Sequence, residues 1–435
     1  MSINKRAELY IWLLLYSVHL IFTCEAARII ELSDRFLEYK DKDVWLVKFY
    51  APWCNHCKRL EPVWSQVAQK LVNTDVRVAR LDCNKYTSLA QHFRVGGFPT
   101  ILYINKDKVV DYQGERLLSP ILEFVRRVHG PSIKKFSNCE DMRKILDSGD
   151  RDNRQASFVL ATHPEGHGEA GELVKNFTEH AEHMYAYNYF IDVPIHCVDE
   201  SKDHSWIYVH KDGAFVPYNS EKYQLLDQFI ISERFPAFQR ITYANFRQIL
   251  ATRKMLVAAV LEENQIGRLD TMRMEEVRDM LEALAENTKE LYHDKFLFGW
   301  FPSTEIPYSI AMTELRLPSV IVVDPETYKY YLSSSADDPE DIIKLLDAID
   351  KADPLPPSFG GNTLPYRIYR SYFDVSQNLK NMYRSSPVLT FVIFLIPTAF
   401  FAAICYLTCC SDFLESSDED EDELEEEDDD HEKTD

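Results

Sequence analysis

Ala51-Pro52-Trp53-Cys54-Asn55-His56-Cys57-Lys58 is the stretch whose reading decides the rest of this chain. An apolar run, residues 45–51, leads into it with the length and composition of a buried strand. Beyond it Leu60, Val63, Trp64, Val67 and Leu71 recur at the spacing of one helix face. The stretch is therefore a strand-to-helix junction, and Cys54 opens the helix. Unpaired backbone N–H groups and the helix dipole there favour thiolate over thiol, so a free-thiol pKa of about 8.5 falls. Cys57 follows one turn later, where it can close a small disulfide or release a mixed one by attacking it. His56 can add positive charge, which favours the reduced pair and makes the disulfide more oxidising.

Two other chemistries use paired cysteines. A zinc site needs four ligands, and no second Cys-x-x-Cys precedes the late apolar run described below. A purely structural disulfide rarely sits at a strand-to-helix junction flanked by Trp53 and Lys58. A redox-active Cys54–Cys57 pair is expected instead, with neither metal nor small cofactor.

Working outward, the same order of elements comes three times. In the first unit strand 45–51 is followed by the helix, strand 76–81, a polar helix to Phe93, hairpin 100–104 with 109–112, and helix 120–129. The second has strand 158–161, helix 170–184, strand 187–193, hairpin 206–210 with 214–218, and helix 222–232. The third has 256–261, 268–292, 295–301, hairpin 320–323 with 328–332, and 340–349. Each describes a mixed sheet with helices on both faces, an α/β architecture. The expected domains are 27–130, 131–236 and 237–352, only the first carrying a dithiol. Pro354, Pro356, Pro357, Gly360 and Gly361 mark residues 353–386 as a linker.

Two apolar runs set the topology. Lys5 and Arg6, the run 9–22 and the small-residue boundary at Cys24-Glu25-Ala26 have the layout of a signal peptide over residues 1–26. Residues 387–407 form an uncharged run long enough to cross a hydrocarbon core of about 30 Å as one helix, with Pro397 inside it. Together they predict a single-pass protein with a lumenal body, a lipid bilayer as partner and a cytosolic tail, 408–435. Lys380 and Arg384 precede the span and the tail is acidic, so loop charge does not support this orientation; signal-led translocation takes precedence. The net charge of −22 is concentrated in that tail, where residues 411–435 hold 16 acidic residues and one Lys, leaving −7 for the other 410 positions. Such a tail is expected to be disordered. A body so mildly acidic gives no reason to expect a nucleic-acid partner.

Residues 27–130 resemble a thioredoxin domain of the protein disulfide-isomerase family. The motifs are Phe49-Tyr50-Ala51-Pro52-Trp53-Cys54-x-His56-Cys57-Lys58, Leu60-x-Pro62 and Gly97-Phe98-Pro99-Thr100. The resemblance implies three tandem thioredoxin-like domains, one redox-active and two inactive, plus the transmembrane helix. It also implies a cis-proline at Pro99 that, with Trp53, borders a groove for extended substrate. Arg116 fits an arginine that swings in to lower the pKa of the second cysteine. Leu317-Pro318-Ser319-Val320 resembles the same proline position in the third unit, without a dithiol. Unfolded or misoxidised protein clients are the implied substrates, redox proteins or glutathione the implied electron partners, and the endoplasmic reticulum membrane the implied location. A tethered, non-enzymatic client-binding chaperone or adaptor is the alternative, and the intact dithiol speaks against it.

This chain departs from the family pattern at three places. Asn55 replaces the usual glycine between the cysteines. Lys48 stands mid-strand where relatives place a buried carboxylate beneath the second cysteine. The C-terminus, Glu432-Lys433-Thr434-Asp435, lacks the paired lysines of a retrieval signal. Among the remaining lumenal cysteines, Cys83, Cys139 and Cys197 are expected to be buried apolar side chains, with pairing of Cys139 and Cys197 the alternative. Asn176-Phe177-Thr178 is a glycosylation sequon, placing a candidate glycan on Asn176.

Overall fold

The computed structural model describes residues 29–146, 155–163, 170–199, 201–202, 204–264, 267–351 and 355–426. The expected signal peptide lies outside them. The chain divides into two bodies, residues 1–359 and 360–435.

In the first body the strands of unit one are β1 (Ile30–Glu31), β2 (Val44–Tyr50), β3 (Val76–Asp82), β4 (Thr100–Asn105) and β5 (Lys108–Asp111), in the sheet order β1-β3-β2-β4-β5. The central strand β2 pairs parallel with β3, Lys48 opposite Arg80, and antiparallel with β4, Phe49 opposite Thr100. Alternate side chains of β2 leave on opposite faces. Trp45, Val47 and Phe49 join a core with Phe36, Leu89 and Ile104. Leu46 joins the other core, beneath α1 (Asn55–Leu71), where Leu60, Trp64 and Val67 meet Phe124 of α3 (Leu118–Val128). The short α2 (Thr87–His92) covers the first face through Leu89.

Unit two repeats the order with β6 (Ile133–Lys135), β7 (Ser157–Thr162), β8 (Tyr189–Pro194), β9 (Trp206–Lys211) and β10 (Ala214–Pro217), read from the other edge as β10-β9-β7-β8-β6. Its helices are α4 (Cys139–Leu146), α5 (Ala170–Met184) and α6 (Leu226–Glu233). In unit three β11 (Phe238–Arg240), β12 (Met255–Val260), β13 (Phe296–Phe301), β14 (Ser319–Val323) and β15 (Lys329–Leu332) stand in the order β11-β13-β12-β14-β15. Its helices are α7 (Tyr243–Leu250), α8 (Met272–Asn287), α9 (Glu305–Ala311) and α10 (Pro339–Lys351). The order of elements along the chain repeats as the sequence pattern predicts, and the order of these five strands in the sheet repeats with it. The first strand of each unit escapes that pattern because two or three residues carry no legible period.

Three expectations are corrected. Cys139 and Cys197 are disulfide-bonded, with Cα atoms 5.2 Å apart, rather than separate apolar fillers. β8 runs beside β6, so the 3-10 turn Ile195–Cys197 returns to the start of α4, an adjacency set by strand order and not by spacing along the chain. Closing a loop of 58 residues stabilises the fold by about 4 kcal/mol on the chain-entropy account. Second, the expected linker contains a 22-residue helix, α11 (Leu364–Ser385), started by Pro365 in its first turn. Third, α12 (Pro387–Glu426) carries the apolar run and continues into acidic sequence read as disordered. No Gly or Pro interrupts residues 398–426, and Glu propagates a helix already nucleated.

Units two and three meet over a buried charge cluster. Glu233 accepts a hydrogen bond from Lys211 and lies 2.8 Å from His293 Nε2; Lys254 Nζ is 3.9 Å away. Glu233, Lys211 and Lys254 are each at most 4% exposed. Burial disfavours the Glu233 carboxylate, yet His293, Lys211 and Lys254 outweigh it and hold the group well below the usual carboxylate range. Burial pushes the Lys254 ammonium down to about 8. Glu233→Gln leaves two buried cations without their anion, so chemical denaturation should show a loss of roughly 3–5 kcal/mol.

Candidate active site

Cys54 is the N-cap of α1, with extended backbone at φ −77° and ψ 112°. The 51–54 turn is closed by the Cys54 N–H donating to the Ala51 carbonyl at 3.0 Å. The Cys57 N–H donates to Cys54 Sγ at 3.1 Å, so sulfur takes the capping place that an oxygen fills in most helices. Cys54 and Cys57 are disulfide-bonded, their Cα atoms 5.3 Å apart, and both are buried. Asn55, in place of the family's glycine, is the first residue of α1 and takes helical backbone without difficulty.

Opposite the pair, the Phe98–Pro99 peptide is cis. Cys54 Sγ lies 3.6 Å from the Phe98 carbonyl. Trp53 is 66% exposed, holds its indole N–H 3.3 Å from Asn84 Oδ1 and sets its ring edge-on to Phe98 at 5.9 Å. The Arg116 guanidinium reaches the Pro99 carbonyl at 3.5 Å, and burial draws its pKa down from the ordinary value. The structure thus gathers Trp53, Cys54, Cys57, Pro99 and Arg116 from one junction, one cis-proline turn and one loop. The Leu317–Pro318 peptide of unit three is also cis, without paired cysteines beside it.

His56 is exposed, and Arg59 Nη2 lies 2.8 Å from its Nδ1. Arg59 is a permanent cation on this edge that sequence reasoning passed over, although its place three residues after His56 on a helix makes them neighbours.

Lys48 is fully buried and faces α1. Its ammonium donates to Glu61 Oε2 and lies 5.6 Å from the centre of the Tyr50 ring and 5.8 Å from that of Trp64. Glu61 Oε1 accepts from Arg80 at 2.7 Å, Arg80 donates to Glu31, and the Tyr50 hydroxyl lies 3.1 Å from Glu31. Burial lowers the Lys48 pKa against the pull of Glu61. Burial works against the Glu61 carboxylate too, but Lys48 and Arg80 prevail and lower its pKa. Glu61 was not singled out in the sequence; its signal was its place one helical turn after Cys57. A carboxylate does therefore reach the buried Lys48, from a half-exposed position on the helix instead of from the strand.

Asn176 lies in α5, away from these residues in the chain. Phe177 is fully buried, the Asn176 carbonyl is 2.7 Å from His180 Nδ1, and the Thr178 hydroxyl donates to the Val174 carbonyl at 2.8 Å.

Cys83 is a buried free cysteine, and burial pushes its thiol up to about 11. At neutral pH only about one such thiol in ten thousand is ionised. In the reduced, folded protein, iodoacetamide should therefore modify Cys54 at least about a hundredfold faster than Cys83, with peptide mass mapping as the readout.

The Thioredoxin family model matches residues 32–127. Protein disulfide-isomerase TMX3 of Xenopus laevis is 28% identical over 400 residues, covering 91% of this chain and 85% of its own. The Homo sapiens protein of that name is 27% identical and covers 86% and 80%. Among solved structures, the zinc-bound form of human ERp44 covers 77% of this chain and 99% of its own at 15% identity, with a TM-score of 0.32.

Proposed function

We propose that this chain, a relative of the protein disulfide-isomerases along most of its length and a thioredoxin domain over residues 32–127, exchanges disulfides in protein clients of the secretory pathway through Cys54 and Cys57. It is a thiol–disulfide oxidoreductase; its substrates are proteins and its electrons come from redox partners. The observation that carries the assignment of roles is the capping bond from the Cys57 N–H to Cys54 Sγ. That bond, with the helix dipole, stabilises negative charge on the sulfur exposed by reduction.

In the reductive direction the Cys54 thiolate attacks a client disulfide. One client sulfur bonds to Cys54, and the other leaves as a thiolate that takes a proton from solvent. A different client thiolate then attacks the client sulfur bonded to Cys54, forming a new client disulfide and releasing the Cys54 thiolate, which is isomerisation. Alternatively Cys57 loses its proton and attacks Cys54 Sγ, which re-forms the pair and frees the client as a thiol. Glutathione or a redox protein restores the dithiol by the same exchange. Trp53 and Pro99 border the docking groove, and Arg116, anchored on the Pro99 carbonyl, contributes positive charge beside the dithiol.

Lys48 acts from beneath as a fixed positive group and Glu61 as its counter-ion. A cation there favours the Cys57 thiolate, whereas the carboxylate found in relatives would accept its proton. Residues 387–406 form an apolar helix long enough to cross a membrane. With the expected signal peptide, this supports a single-pass endoplasmic reticulum protein with its body lumenal and its acidic end cytosolic. Asn176 would receive its glycan before α5 forms, since the folded helix engages the Thr178 hydroxyl.

The Cys54→Ala, Cys57→Ala double variant should show no isomerisation of a scrambled disulfide protein above the uncatalysed rate. Retained activity would overturn the assignment. In a glutathione buffer, Lys48→Met should shift the Cys54–Cys57 equilibrium toward the disulfide by roughly tenfold, about 30 mV. A shift toward the dithiol would overturn this role for Lys48.

A further inference from the structure

Helix α11 is amphipathic, yet its apolar side faces water. Leu364, Ile368, Tyr372, Val375, Leu379 and Tyr383 succeed one another at intervals of three and four residues and so form one stripe. Their exposures run from 36% for Leu379 to 69% for Tyr372, and no residue of this 22-residue helix is buried. On the opposite side stand Arg370, Asp374, Gln377, Asn381 and Arg384, with the rings of Tyr366 and Phe373 among them. The helix carries the cations Arg367, Arg370, Lys380 and Arg384 against the single acid Asp374. A stripe of this length is not left bare in water without a partner.

Two features identify the partner. The stripe ends where the apolar run begins: α11 closes at Ser385, Ser386 leaves helical geometry at φ −154° and ψ 78°, and α12 starts at Pro387. The chemistry is also that of a lipid–water boundary. The stripe mixes aliphatic side chains with tyrosines, which keep a hydroxyl in water above a buried ring, and the cations complement lipid phosphates. The rival partner is a second copy of the helix, because Ile368, Tyr372, Val375, Leu379 and Met382 also fit a heptad seam. Against it, the flanking positions Tyr369, Ser371, Ser376 and Asn378 hold no charges that could pair across two helices.

We propose that α11 is an interfacial membrane helix, lying in the headgroup layer of the bilayer that α12 crosses, its Leu364-to-Tyr383 stripe among the acyl boundary and its cations on lipid phosphates. The inference rests on reading residues 387–406 as a span. Its consequence is reach: the free tether of the lumenal body then ends near residue 363 and not at residue 386. The 22 residues of α11, about 33 Å of helix, are held at the membrane and withdrawn from that tether.

Photo-crosslinking of the full-length chain in phosphatidylcholine–phosphatidylserine nanodiscs tests it. Benzoylphenylalanine is placed, one position per variant, at Tyr372 or Leu379 on the stripe, at Asp374 or Asn381 opposite it, and at Ile396 within the apolar run. The expected result is lipid adducts at 372 and 379 exceeding those at 374 and 381 several-fold, with strong adducts at 396. Crosslinks from 372 and 379 to a second copy would overturn the inference in favour of a paired helix. Equal adducts on both sides, or none on either, with 396 still labelled by lipid would also overturn it while leaving the span intact. Loss of lipid adducts at 396 would remove the span and this inference together.

Discussion

The chemistry of this chain depends on one small contact, the backbone N–H of Cys57 pointing at the sulfur of Cys54. Helix N-termini leave their first N–H groups without intrahelical partners, and an anion is the best acceptor to place there. A thiol at the cap becomes that anion at modest cost. The same contact distinguishes Cys54 from Cys83. Cys83, in the turn that follows β3, has the same atom type in an apolar setting and stays protonated.

Around that contact the thioredoxin unit supplies a floor and a wall. The wall is the cis Phe98–Pro99 turn, which brings a carbonyl to within 3.6 Å of Cys54 Sγ and leaves Trp53 projecting beside it. The floor is where this chain departs from the protein disulfide-isomerase pattern that it resembles. Lys48 occupies the strand position and Glu61 the helix, with Arg80 and Glu31 extending the network. A lysine with no exposed surface is tolerated because it is paired, and Glu61 reaches both it and Arg80. A paired lysine thus stands at a buried strand position, and the number of buried uncompensated charges stays small.

The two units without a dithiol are built to the same strand order and fastened by polar contacts as well as apolar ones. Glu233, shared by Lys211, Lys254 and His293, joins units two and three through buried groups, with only His293 partly exposed. Arg127 of unit one donates to the Ala186 carbonyl of unit two at 3.1 Å, and the Tyr189 hydroxyl lies 2.7 Å from Glu123. Such contacts favour one arrangement of the units, because any slip leaves a buried charge or hydroxyl without a partner.

The sequence alone determined the features written in local pattern. The junction at Cys54, the three repeats with their central strands and hairpins, the apolar run near residue 390 and the cis-proline motif could all be read, because period, length and fixed motifs report them directly. The helix of residues 364–385 was also written in local pattern, but the prolines and glycines just before it drew attention to a linker. Tertiary structure decided what depends on neighbours distant in the chain. Cys139 and Cys197 meet because β6 and β8 pair, and Lys48 finds Glu61 because a helix crosses the strand. The first strand of each unit exists only through the edge it joins. Periodicity shows which face of an element is apolar; only the folded chain shows what that face, or a charge within it, comes to lie against.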